Sequence, residues 1–92
     1  MNGIEEAEVI SALSLYPNPA DEELTVEFRM NVSQQADISI MDLSGKQLQR
    51  TRVLASEGSN KVFIGTSELS SGFYLIKISI GDIQRIAQIA IQ

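Results

Sequence analysis

Pro17-Asn18-Pro19 is the tightest constraint in this chain. Each proline fixes its own φ and lacks a backbone donor, and each pushes the residue before it, Tyr16 or Asn18, toward extended geometry. Leu15 to Ala20 therefore cannot lie inside a helix. It is a corner whose shape is set before the rest of the chain folds. The residues beyond it fall into short segments with a period of two, the arrangement that opens an all-β sandwich.

The first of these segments places Leu24, Val26, Phe28 and Met30 in alternation with Thr25, Glu27 and Arg29, the pattern of a half-buried strand. After the polar run Asn31 to Gln35, Ala36, Ile38 and Ile40 alternate with Asp37, Ser39 and Met41. Asp42-Leu43-Ser44-Gly45-Lys46 then sets an aspartate at a turn start and a glycine three residues on, a type I signature that folds the next strand back as a hairpin. That strand, Gln47 to Leu54, carries Arg50 and Arg52, charges suited to a sheet edge, where they discourage pairing with other molecules. Ser56 to Asn60 turns the chain into Val62 and Ile64, with Lys61 and Phe63 on the other face. Ser67 to Gly72 reads as a crossing connection that drops Leu69 into the core. Tyr74, Ile76, Ile78 and Ile80 form the strongest strand, Gly81-Asp82 turns, and Ile83 to Ile91 closes the chain with Ala87, Ile89 and Ile91 on one face. Turn signals every eight to twelve residues without a helical period predict an immunoglobulin-like antiparallel β-sandwich of about seven strands.

Composition narrows the function classes. Ninety-two residues make one domain, and 43% hydrophobic with 21% charged residues is the balance of a globular fold with a mainly aliphatic core. Seven basic against twelve acidic side chains give a net charge of −5, which repels nucleic acid and anionic membrane, so neither is expected as a partner. The chain has no cysteine and no histidine. The thiol nucleophile, the usual neutral-pH base and the commonest metal ligand are all missing, and no catalytic residue, metal or cofactor is expected. Residues 1–12, with Glu5, Glu6 and Glu8, read as an acidic linker or frayed N-terminus, and residues 13–92 as the sandwich. The start is not basic, so it does not read as a signal peptide. No apolar run reaches the ~20 residues needed to span a bilayer. If the domain is exported, its address is expected to lie outside this chain or to be the domain itself.

Each candidate site has a plainer structural reading. Leu69-x-x-Gly72-x-Tyr74 matches the tyrosine corner of immunoglobulin-like folds, in which a tyrosine hydroxyl bonds back to upstream backbone and pins a crossover; Gly72 supplies backbone freedom beside it. A surface read by a partner is the functional alternative. Asp21, Glu22 and Glu23 offer the oxygens a hard cation takes, but lack the spacing of a dedicated loop and read as a solvated turn. Asp42 with Asp82 is the nearest thing to a glycosidase pair, on a domain too small for a deep cleft. The last strand, with Ile86, Ile89 and Ile91, reads as a core strand that can also offer an edge for strand addition.

The order Tyr16-Pro17-Asn18-Pro19-Ala20, Leu24-Thr25-Val26, Ile40 to Lys46 and Leu69 to Leu75 resembles the C-terminal sorting domains of the type IX (Por) secretion system, with coverage from about Leu13 to Gln92. By position, Pro17, Asn18 and Pro19 match the first motif of that family, Asp42, Gly45 and Lys46 the central turn, and Gly72 and Tyr74 the late motif. Where the family often carries a lysine near the final strand and a basic residue at the end, this chain has Arg85, followed by Ile89 and Ile91. The resemblance implies a tag on a larger cargo protein, read by an outer-membrane translocon after passage through the periplasm. It also implies removal by a sortase-like peptidase at the preceding linker, leaving a secreted or cell-surface product. The rival reading is an immunoglobulin-like accessory or glycan-binding module of a cell-surface enzyme. For that role Tyr16, Phe63 and Phe73 are the available aromatics, and there is no tryptophan.

Overall fold

A computed structural model describes residues 9–92. The alternating segments form seven strands: β1 (Ile10–Tyr16), β2 (Glu23–Met30), β3 (Gln34–Met41), β4 (Gln47–Ala55), β5 (Gly58–Gly65), β6 (Gly72–Ile80) and β7 (Ile83–Ile91). They pair antiparallel in two sheets, ordered β1-β2-β5 and β4-β3-β6-β7. The fold is thus the all-β sandwich expected. In the constant-type immunoglobulin arrangement the fourth strand joins the first sheet. Here the Asp42 turn makes β4 a hairpin partner of β3 and keeps it in the second sheet.

The core lies between the inward faces. Leu24, Val26 and Phe28 of β2 meet Ile38 and Ile40 of β3, Ile76 and Ile78 of β6 and Ile89 of β7, all essentially without solvent contact. Burying each such side chain contributes roughly 1.5–3 kcal/mol. The aliphatic β-branched content is what lets these strands fill the gap between two sheets with few rotamers to lose. Leu69 in the β5–β6 crossing packs against this core as expected. β4 lies at a sheet edge. Both of its arginines turn onto Asp37 of β3, with Arg52 Nε at 3.1 Å and Arg50 Nη2 at 3.3 Å from Oδ1.

Two features depart from the sequence reading. Strand β1 takes in Ile10, Ser11 and Ala12, which that reading assigns to the acidic leader; Met1 to Glu8 lie outside the described residues. Ile10 is buried opposite Met30. The period of two is hidden by a bulge: Ser11 pairs Arg29 and Ser14 pairs Glu27, so Ala12 and Leu13 together face Phe28, with Ala12 at φ 53°. Second, Ser39 and Met41 are buried although they lie on the outer face of β3. Ser39 is flanked across the sheet by Arg50 and Lys77, and its hydroxyl donates to Gln47 Oε1 at 3.1 Å.

Candidate functional site

The β1–β2 connection leaves the first sheet, touches the second and returns. Both X-Pro bonds of the corner, Tyr16-Pro17 and Asn18-Pro19, are cis. Because neither proline has an N–H to give, the corner bonds through its other groups. Asn18 Oδ1 accepts from the Ala90 N–H at 3.0 Å. Ala20, fully buried, donates its N–H to the Ala90 carbonyl at 2.9 Å and accepts from the Gln92 N–H at 2.7 Å. Ala20 and Ile91 thereby form a short parallel bridge that ties the corner to the end of β7. Pro17, Asn18 and Pro19 themselves stay exposed.

The same end of the sandwich holds the β5–β6 crossing. Thr66 is completely buried; its hydroxyl donates to the Asp21 carbonyl at 3.0 Å and its N–H to the Glu22 carbonyl at 2.9 Å. The acidic turn Asp21 to Glu23 thus uses its backbone to hold Thr66. The Tyr74 hydroxyl donates to the Ser70 carbonyl at 2.6 Å, the tyrosine-corner bond. Gly72, opposite Ile91 in the β6–β7 ladder, has φ +150°, a conformation that side chains other than hydrogen disfavour.

The β3–β4 turn lies at this end too, since Met41 pairs Leu75 near the start of β6. Gly45 N–H donates to the Asp42 carbonyl at 3.0 Å, closing the expected i to i+3 turn, with Gly45 at φ +94°. Asp42 Oδ1 accepts from the Ser44 hydroxyl at 2.6 Å and from the Ser44 and Lys46 N–H groups. The Ser44 hydroxyl bond, then that from the Lys46 backbone, holds the Asp42 carboxyl below its ordinary pKa. Apolar side chains are displayed among these polar turns: Leu43 within the β3–β4 turn and Phe73, opposite Ala90 in the β6–β7 ladder, are each 59% exposed.

The structure therefore gathers Pro17, Asn18, Pro19, Asp42, Gly45, Lys46, Gly72, Tyr74, Ile89 and Ile91 at one pole. Ile89 and Ile91 are core residues there, with side chains turned inward. Arg85 is elsewhere: it pairs Ile78, and the six-residue step from it to Ile91 spans about 20 Å of strand. Its Nη1 donates to the Gln84 carbonyl at 3.1 Å. Asp42 and Asp82 lie at opposite ends of β6 and do not form a carboxylate pair. Tyr16 and Phe63 flank Thr25 on the outer face of the first sheet, while Phe73 lies on the other sheet. The Tyr16 hydroxyl donates to Glu27 Oε1 at 2.7 Å, which raises its pKa. A surface depression lined by Ser11, Arg29, Met30, Asn31, Glu57 and Gly58 lies at the opposite pole. Thr66 and the backbone of Ala90 were not legible as site residues, since a threonine in a polar stretch and an amide common to every residue carry no signal of their partners.

No curated protein matches the chain. A family model described as "Secretion system C-terminal sorting domain" matches residues 14–92. That span begins just before the proline corner and takes in every element gathered at the pole. The chain belongs to the family of type IX secretion system C-terminal sorting domains.

Proposed function

We propose that this domain is the tag by which an outer-membrane translocon recognises a larger cargo protein joined to it, and that the pole formed by Pro17–Ala20, Asp42–Lys46 and Phe73 is the face it reads. A sorting signal that acts through shape needs rigid, exposed groups on a fold that does no chemistry. The observation that carries the reading is the bond from Ala90 N–H to Asn18 Oδ1: it locks the first family motif onto the last strand, so the corner and the end of β7 are held together at one pole. After passage through the periplasm and across the outer membrane, a sortase-like peptidase removes the domain within the acidic segment that precedes β1, leaving the cargo secreted or on the cell surface.

The test is a reporter with a periplasmic leader fused ahead of residues 1–92, expressed in a host that has the system. The expected result is reporter in the medium or on the surface; a reporter held in the periplasm refutes the reading. Removing Arg85 to Gln92 deletes most of β7, so its effect would mix folding with recognition. Leu43→Glu and Phe73→Ser alter side chains that are each 59% exposed. Both should lower export while the purified domain keeps its melting temperature, and full export by both would move the recognition face elsewhere.

A further inference from the structure

The outer face of the second sheet is built by the residues that alternate with the core positions of its strands. Register sets them in rows across the sheet: Arg52, Asp37, Ser79 and Gln84 in one, Arg50, Ser39, Lys77 and Ile86 in the next. Charge is unevenly shared between this face and the rest of the domain. Among the described residues these two rows carry three cations and the single carboxylate of Asp37, in a chain whose net charge is −5. The remaining described carboxylates lie at the two poles or, as Glu27, on the outer face of the first sheet.

Asp37 lies 3.1 Å from Arg52 and 3.3 Å from Arg50, and one carboxylate neutralises only one of the two. Both guanidinium side chains stay about half open to solvent, at 53% and 46%. Lys77 stands on the far side of Ser39 from Arg50, and no described carboxylate pairs with it. The two rows therefore keep an excess of two positive charges. The backbones of Arg50 and Lys77 are two strand spacings apart, about 10 Å, which is the span of three residues in an extended chain. Aliphatic side chains flank the cations. Ile86, 57% exposed, is opposite Lys77, and Leu54, 77% exposed, follows Arg52 on the same side of β4.

We propose that this face docks an acidic segment of another protein, extended across the strands, with carboxylates at every third position beside Arg50 and Lys77 and apolar side chains on Leu54 and Ile86. Charge complementarity selects the sign of the partner. Its class follows from what surrounds the cations. The two rows hold no aromatic ring on which a sugar could stack, and a membrane or a long polyanion would also bring its charge near the acidic poles, which the net charge of −5 opposes. A single polypeptide segment covers the face alone, and its apolar side chains give Leu54 and Ile86 something to bury against. Asp37 acts as a resident competitor, holding the guanidinium groups until the carboxylates of the segment replace it. The face is separate from the pole of family motifs, and the contact is independent of the sorting reading.

The test titrates the 92-residue chain into a fluorescein-labelled peptide with glutamate at every third position and leucine and serine between, read by fluorescence anisotropy. The peptide should bind, with affinity falling as salt rises, and its counterpart with lysine in place of glutamate should not. Lys77→Gln should weaken binding about threefold, and the double variant Arg50→Gln, Lys77→Gln about tenfold. Lys61→Gln removes the same charge from the outer face of the other sheet and should leave binding unchanged. Asp37→Asn should tighten it, a gain that misfolding cannot mimic. No binding of the acidic peptide, equal losses in Lys61→Gln and Lys77→Gln, no gain in Asp37→Asn, or tighter binding to phosphatidylglycerol vesicles or to heparin than to the peptide would each overturn the proposal.

Discussion

Asn18 and Ala90 stand 72 positions apart and are joined by one hydrogen bond of 3.0 Å. The acceptor is the side chain flanked by two prolines, and the donor is a backbone group that no other strand uses. The corner thus closes the edge of the second sheet with the one residue among Pro17, Asn18 and Pro19 able to reach it by side chain.

Asn18→Ala should remove that acceptor and cost about 1 kcal/mol. Urea denaturation checks the magnitude. Hydrogen exchange checks the place: the Ala90 amide should lose protection while amides of β6 facing β3 keep theirs. Unchanged protection at Ala90 would show that the bond contributes nothing in solution.

Tyr74→Phe leaves the ring in the core and takes away the hydroxyl that bonds to Ser70. The expected loss is about 1 kcal/mol, a fall in melting temperature of roughly 4–8 °C for a domain of this size. A variant that melts with the wild type would reduce the corner to ring packing alone.

Thr66→Val keeps the shape of a fully buried side chain and leaves the Asp21 carbonyl without its donor. The cost expected is about 1–3 kcal/mol. Phe28→Ala, at the centre of the core, should cost about 3–5 kcal/mol, a large part of the roughly 5–14 kcal/mol available to such a domain. Chemical denaturation should rank Phe28→Ala as the more damaging; the reverse order would place the main stabilising contact in the polar pole.

Asp37 and Asp42 both have folded-state pKa values below the ordinary 3.8, Asp37 first through the Arg52 bond and then Arg50, Asp42 first through the Ser44 hydroxyl. A lowered folded value means that the unfolded chain takes up protons first as pH falls. The stabilisation is present above the unfolded value and is lost as pH drops through the folded ones, so the melting temperature should hold at neutral pH and decline below about pH 4. The double variant Asp37→Asn, Asp42→Asn should show a shallower decline. An equally steep decline would assign acid sensitivity to other carboxylates.

Strand number, the type I turn at Asp42, the edge position of β4 and the tyrosine corner could be read from the sequence because each rests on contacts within a few residues or on a regular alternation. The start of β1 could not: two residues opposite Phe28 break the alternation, and a bulge is fixed by the partner strand. Nor could the separation of Arg85 from the motif residues, although it is closer in sequence to Gln92 than Tyr74 is.

The order of amino acids alone makes this chain a β-sandwich without histidine or cysteine chemistry, with rigid turns at set places, because proline geometry, turn residues and apolar period act locally. That the proline corner bonds to the last strand, and that Thr66 holds the Asp21 turn, emerged only once the chain was folded. Those outcomes depend on main-chain N–H and C=O groups, which are alike in nearly every residue; which of them meet is settled by register and strand order once the core has packed.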